Sequence, residues 1–160
     1  MQNLEAETLN GQIEQLHISN LRGPLAPGVS IYSAGQPSAD QLAGLARLGI
    51  GLVVNLRPAA EMKDFDEKGV VTALGMDYQH IPILGAADLT TENAAQLQQA
   101  LAASNRPVVV HCAGGNRVGA LIAVKAKWID GLRTQEAIEL GVTAGLQGLL
   151  TAVEQLLRDA

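Results

Sequence analysis

Pro107-Val108-Val109-Val110-His111-Cys112-Ala113-Gly114-Gly115-Asn116-Arg117-Val118-Gly119 is a β-branched run that ends in His-Cys, crosses four small or polar residues, and reopens at Arg117 into an apolar stretch with helical spacing. A strand, a glycine-rich turn and a helix start in that order bring backbone N–H groups toward one point, where the helix dipole also favours negative charge. The same surroundings favour the thiolate form of a cysteine. Cys112 is therefore the candidate nucleophile, sitting over an anion cradle built from Ala113, Gly114, Gly115, Asn116 and Arg117. A cation in the first turn of a helix is unfavourable by itself, and an anionic partner for Arg117 relieves that cost.

Upstream, residues 29–32 read as a strand. Ser38 with Gln41 forms a capping box before Leu42, Leu45 and Leu48, and Gly49 ends that helix. Residues 52–56 are a continuous apolar strand stopped by Pro58. A polar stretch then leads into a helix carrying Val70, Val71 and Leu74. Residues 78–83 read as another strand, with Pro82 marking its end or a sheet edge. Ala94, Leu97 and Leu101 share a helical face, and residues 108–112 form the strand before the cradle. After the helix of Val118, Leu121, Ile122 and Ile129, Thr134 is a candidate cap for the next helix. Leu146, Leu149, Leu150, Val153 and Leu157 mark a last one. Near the start, only Leu9, Ile13 and Leu16 hint at amphipathicity.

Strands alternating with helices predict an α/β fold: a single domain, residues 29–160, around a mostly parallel sheet of four to five strands with helices on both faces. Residues 1–28 are expected to be an N-terminal extension packed on it. Ligands in such folds bind beyond the carboxyl ends of the strands, where Cys112 and Arg57 would share a crevice.

The string HCAGGNR resembles the signature loop of the cysteine-dependent phosphatases, whose usual pattern is His-Cys, five residues, then Arg. Here only four residues separate Cys112 from Arg117, and Val118 stands where a Ser or Thr commonly follows. Four is the loop length of the rhodanese sulfurtransferases. The stretch Ile31-Tyr32-Ser33-Ala34-Gly35-Gln36-Pro37-Ser38, with Leu52-Val53-Val54-Asn55-Leu56-Arg57-Pro58 after it, resembles a bacterial branch of the dual-specificity phosphatases. That resemblance covers most of the chain.

It implies a phosphoric monoester hydrolase of the protein tyrosine phosphatase superfamily. Cys112 would be its nucleophile, Arg117 its phosphate clamp, and His111 a ring bonded to the loop. Asp88, in a Gly-Ala-Ala loop upstream, is the candidate general acid; it competes with a helix-start role beside Thr90 and Thr91, and Glu92, Asp64 and Asp66 are the other acids in reach. Arg57 is a candidate substrate contact that could instead pair with Glu61. Two rival readings are a sulfurtransferase carrying a persulfide on Cys112 and an inert anion-binding module.

Composition narrows the partners. The 160 residues hold 48% hydrophobic and 17% charged side chains, which excludes a disordered chain. The net charge of −5 and only one Trp, two Tyr and one Phe argue against nucleic acid, which needs basic contacts and stacking platforms. The expected partner is a phosphorylated small molecule or a phosphoprotein, with no membrane. His17 and His80 make no metal-ligand pattern with Cys112, and there is no Walker or dinucleotide glycine motif, so neither metal nor cofactor is expected. A lone cysteine forms no internal disulfide and keeps best in a reducing compartment, so the cytoplasm is expected unless a leader has been removed.

Overall fold

The structure is a computed structural model describing residues 2–26 and 29–158. Helix α1 (Gln2–Glu14) precedes strand β1 (Ile31–Ala34), helix α2 (Ala39–Arg47), strand β2 (Leu52–Asn55), helix α3 (Glu67–Ala73) and strand β3 (Asp77–His80). Helix α4 (Thr91–Ala103), strand β4 (Val108–His111), helix α5 (Asn116–Trp128), helix α6 (Thr134–Thr143) and helix α7 (Leu150–Arg158) complete the order. The four strands form one parallel sheet in the order β1-β4-β2-β3. This is the predicted α/β architecture, with four strands.

All four positions of β2 and of β4 are buried, as a near-continuous apolar run requires when helices cover both faces. Alternation then sorts the side chains. Val54, Leu56, Val108, Val110 and Cys112 face the layer of α4 to α7, whereas Val53, Val109, Tyr32 and Ala34 face α1, α2 and α3. Ile13 and Ile18 lie in the second cluster, so the segment before the sheet contributes to the core. β3 is an edge strand, and Pro82, which cannot donate to a ladder, lies just past it.

Several element ends differ from the sequence reading, among them the start of α7, which leaves Leu146 and Leu149 ahead of the helix. β1 starts later than expected because Val29 turns back, its N–H donating to the Ala26 carbonyl at 3.1 Å. β3 stops at His80, before the proline. Thr134 does not cap α6: Arg133 holds the cap position without a side-chain bond, and the Thr134 hydroxyl accepts from Lys127 Nζ at 2.7 Å. The capping box is present as read, with Gln41 N–H donating to Ser38 Oγ at 3.1 Å and Ser38 N–H to Gln41 Oε1 at 2.9 Å.

Candidate active site

The strand register levels Ala34 with His111 and His111 with Asn55, so β1, β4 and β2 end together. Cys112 follows at that carboxyl rim, buried at 1% exposure. The chain then bends through Ala113 and Gly114, which bridges Gly35, and enters α5 from Gly115. Gly115 adopts φ +92, a left-handed conformation costly for any residue with a Cβ. Its N–H points back at the sulfur, donating to Cys112 Sγ at 3.0 Å.

α5 has no side-chain cap. Among the described residues none accepts from the backbone N–H groups of Ala113, Gly114, Asn116 or Arg117. These are donors of the kind that gather an oxyanion at a helix start. The Asn116 side chain faces elsewhere: its Oδ1 accepts from Gln147 N–H at 2.9 Å and Leu149 N–H at 3.2 Å, tying the loop to the turn before α7.

Arg117 is held on one side only. Its Nη1 donates to Glu61 Oε2 and to the Ile83 carbonyl, and its Nη2 to Glu61 Oε1, all at 2.9 Å. A guanidinium has five donors, so Nε–H and the second Nη2–H remain as a fork along the edge that Glu61 and Ile83 do not take. Hydrogen bonding to Glu61 raises the Arg117 pKa above the usual arginine value, with Cys112 adding a smaller attraction. Glu61 is lowered in turn, first by Arg117 and further by Arg57, against a partial burial that opposes it.

Arg57 directs its guanidinium into the protein. Nε donates to Glu61 Oε1 at 3.2 Å, Nη2 to the Glu61 carbonyl at 3.2 Å, and Nη1 to Gln36 Oε1 at 2.9 Å. The pairing with Glu61 is therefore present, and it makes Arg57 a support for the residue that grips Arg117. Asp88 closes the short turn of residues 84–88, its Oδ2 accepting from Leu84 N–H at 2.8 Å. This turn adjoins Ile83, whose carbonyl holds Arg117. Thr90 caps α4, accepting from Asn93 N–H at 3.1 Å. Asp66 caps α3 through Gly69 N–H, and Glu92 lies in the first turn of α4.

His111 alternates away from Cys112 and reaches under the sheet to α3. Its Nε2 meets Glu67 Oε2 at 2.6 Å, and its Nδ1 meets the Cys112 carbonyl at 3.2 Å. Glu67 and Glu61 are the site residues that the sequence reading did not single out for this role. Glu61 had a signal, its i+4 spacing from Arg57. Glu67 had none, because an acidic residue in a helix's first turn reads as a dipole partner. Among the described residues there is no group of His, Cys, Asp and Glu able to hold a metal ion, and no helix long and apolar enough to cross a membrane.

The chain and its fold have known relatives. The family model of the beta-lactamase hydrolase-like protein, phosphatase-like domain, matches residues 24–127. A beta-lactamase hydrolase-like protein of Xylella fastidiosa is 32% identical over 132 residues, 79% of this chain and 30% of that protein. Its counterpart in Agrobacterium fabrum is 34% identical over 117 residues, 70% of this chain and 27% of that protein. The chain thus spans under a third of the length of the curated relatives it matches. Among solved structures, a candidate phosphatase (DUF442) from Shewanella putrefaciens superposes with a TM-score of 0.65 at 26% identity, covering 92% of this chain and 97% of that one. TpbA of P. aeruginosa shares the fold at TM-score 0.60 and 21% identity, covering 88% and 91%. The strand, cysteine loop and helix that dominate this chain fall inside the matched region, and the chain belongs to the phosphatase-like domain family of the beta-lactamase hydrolase-like proteins.

Proposed function

We propose that this domain hydrolyses a phosphate monoester through a phosphocysteine on Cys112. The reading rests on one observation above the others: the Cys112 sulfur takes the Gly115 N–H at 3.0 Å at the floor of a loop whose N–H groups at Ala113, Gly114, Asn116 and Arg117 meet no acceptor among the described residues, with the Arg117 guanidinium attracted to the same sulfur. A thiolate at the floor of an anion cradle faces the phosphorus of whatever phosphoryl group the cradle holds.

In the first step an S–P bond forms as the P–O ester bond breaks, and a general acid, for which Asp88 is the candidate, gives a proton to the leaving oxygen. In the second, water attacks phosphorus, the S–P bond breaks, and the proton from water goes to the same carboxylate. The loop N–H groups from Ala113 to Arg117 and the Arg117 fork would hold the equatorial oxygens through both steps. The substrate class is a phosphorylated small molecule or a phosphoprotein. No added metal or cofactor is called for, and the single thiol suits the reducing cytoplasm.

The four-residue spacing from Cys112 to Arg117 favours one second reading, a persulfide carrier. There the terminal sulfur anion, rather than a phosphoryl oxygen, would sit among the loop N–H groups. Mass spectrometry of acid-quenched protein separates the two. A phosphorylated Cys112 after brief incubation with a phosphate ester supports the phosphatase; a persulfide after incubation with thiosulfate, with no phosphorylated form, supports sulfur transfer. Neither adduct would leave an anion-binding module.

A further inference from the structure

The chain that leads into the sheet, residues 19–22, runs along the outer face of the cysteine loop. Arg22 pairs with Ser33 of β1, its N–H donating to the Ser33 carbonyl and its carbonyl accepting from Ser33 N–H, both at 2.8 Å. The Ser19 carbonyl accepts from Gly35 N–H at 2.8 Å, and Gly35 bridges Gly114 of the loop. Side chains follow the same path. A Cβ on Gly114 would lie 3.7 Å from Asn20 Nδ2, and one on Gly115 would lie 3.4 Å from Arg22 Nη1. A Cβ on Gly145, just past α6, would come within 3.1 Å of the same nitrogen. The Arg22 guanidinium therefore fills the space that two glycines leave open, against the residue whose N–H holds the Cys112 sulfur.

A helix end accounts for its place but does not neutralise its charge. The last turn of α6 carries no basic residue, and a cation at a helix C-terminus is favoured. That end offers only about half an elementary charge. Among the described residues Arg22 enters no ion pair, and its guanidinium makes one hydrogen bond, Nη1 to the neutral Asn20 carbonyl at 3.2 Å. A guanidinium does not lose its proton in a protein. A net positive charge thus stands behind the loop, one residue's thickness from the sulfur and inside the screening length of about 10 Å at 0.1 M salt.

We infer that Arg22 is a positioning residue of the anion site: it holds the outer wall of the loop at Gly115 and Gly145 and lends its charge to the anion that the loop N–H groups bind, without touching it. This role rests on the loop being the oxyanion cradle of the proposed reaction. Arg117 meets the anion with a fork of donors, and Glu61 offsets part of its charge. Arg22 has no such carboxylate. In a chain of net charge −5, which repels a dianion at long range, it supplies the local field that draws one in.

Sulfate affinity of the full chain, read from the 1H–15N shifts of the Gly114 and Gly115 amides, tests this. Arg22→Gln keeps a donor for the Asn20 carbonyl and removes the charge. At about 10 mM salt, affinity should fall about three- to tenfold, the size of effect one charge exerts across a single residue of partly wet protein. At about 1 M salt, where the screening length is about 3 Å, variant and parent should converge. A role confined to packing would give a loss that salt leaves untouched. Asn20→Asp approaches from the other side. Asn20 is exposed at φ +54, a conformation that Asp tolerates as Asn does, so this variant should fold while placing a carboxylate beside the guanidinium. It should weaken sulfate in the same salt-dependent way, and Arg22→Lys, which keeps the charge, should bind close to the parent. Unchanged affinity in either neutralising variant, a loss that persists at high salt, or a loss in Arg22→Lys as large as in Arg22→Gln would overturn the inference. Equal sulfate binding in Arg117→Ala and parent would be a different failure, that of the loop as the anion site.

Discussion

Glu61 holds Arg117 by both terminal nitrogens, Nη1 to Oε2 and Nη2 to Oε1 at 2.9 Å each, and the same carboxylate takes Arg57 Nε at 3.2 Å. One acidic side chain thus aims the guanidinium while leaving its Nε edge open. Glu61→Gln keeps the shape but loses the second acceptor oxygen. Hydrolysis of p-nitrophenyl phosphate should fall by about 10–10²-fold, the scale on which small displacements of a positioned group act. An unchanged rate would show that Arg117 is oriented by the Ile83 carbonyl alone.

The same contact has a pH signature. Glu61 has a lowered pKa in the folded protein, so it lends stability above its ordinary value of 4.5 and withdraws it as pH falls through the lowered value. The pair faces solvent in part, and such pairs are worth about 0–1 kcal/mol. Parent protein should therefore melt up to about 2–4 °C above Glu61→Gln at pH 7. That gap should close below pH 4.5. A gap that persists unchanged into acid would mean that the difference has a cause other than the ion pair.

Anion binding should separate from chemistry. Cys112→Ser leaves the loop N–H groups and the Arg117 fork in place, so it should still bind sulfate or vanadate by calorimetry. Arg117→Ala should lose most of that binding while remaining folded, and Arg117→Lys should recover little, because an ammonium cannot present a planar fork. Equal affinity in Arg117→Ala and parent would move the anion site away from the loop.

Two glycines near the cysteine fail for different reasons when a Cβ is added. Gly115 needs φ +92, and a Cβ there would lie 3.4 Å from Arg22 Nη1, so Gly115→Ala should cost about 1–2 kcal/mol of backbone strain and blunt anion binding. At Gly119, inside α5, a Cβ would overlap the Leu146 nitrogen and the Gly141 carbonyl where α6 and the turn before α7 press close. Backbone cannot yield as a side-chain tip does, so Gly119→Ala should be the more destabilising in a thermal melt. The reverse order would imply that α6 can shift away from α5.

The parallel sheet and the cysteine loop were legible because their signals are local. Three valines before His-Cys, glycines at the turn and an apolar helix after Arg117 carry both the strand ending and the cradle. What stayed out of view is what joins distant segments. The i+4 spacing of Arg57 and Glu61 shows in the sequence, but Gln36, Arg57 and Glu67 meet only because β1, β2 and β4 end level, and no spacing in the chain encodes that meeting. Glu67 reads as an ordinary first-turn acid until alternation along β4 sends His111 to it. The cap at α6 was misplaced for a related reason: the Thr134 hydroxyl accepts from Lys127 and so serves tertiary packing instead of its own helix.

Asp88 carries the last prediction. Its Oδ2 accepts from Leu84 N–H at 2.8 Å, so it closes a turn whatever else it does. Asp88→Asn separates the two roles, since an amide oxygen can still take the Leu84 N–H but the side chain can no longer give up a carboxylic proton. If Asp88 is the acid, this variant should melt close to the parent and yet lose about 10²–10⁴-fold on alkyl phosphates, whose leaving oxygens need the proton. On p-nitrophenyl phosphate, whose phenolate leaves unaided, the loss should be far smaller. Asp88→Ala should show the same kinetic split together with a lower melting temperature, because the turn then loses its acceptor. An equal and small loss on both esters would confine Asp88 to the turn, and the proton would have to come from Glu92, Asp64, Asp66 or water.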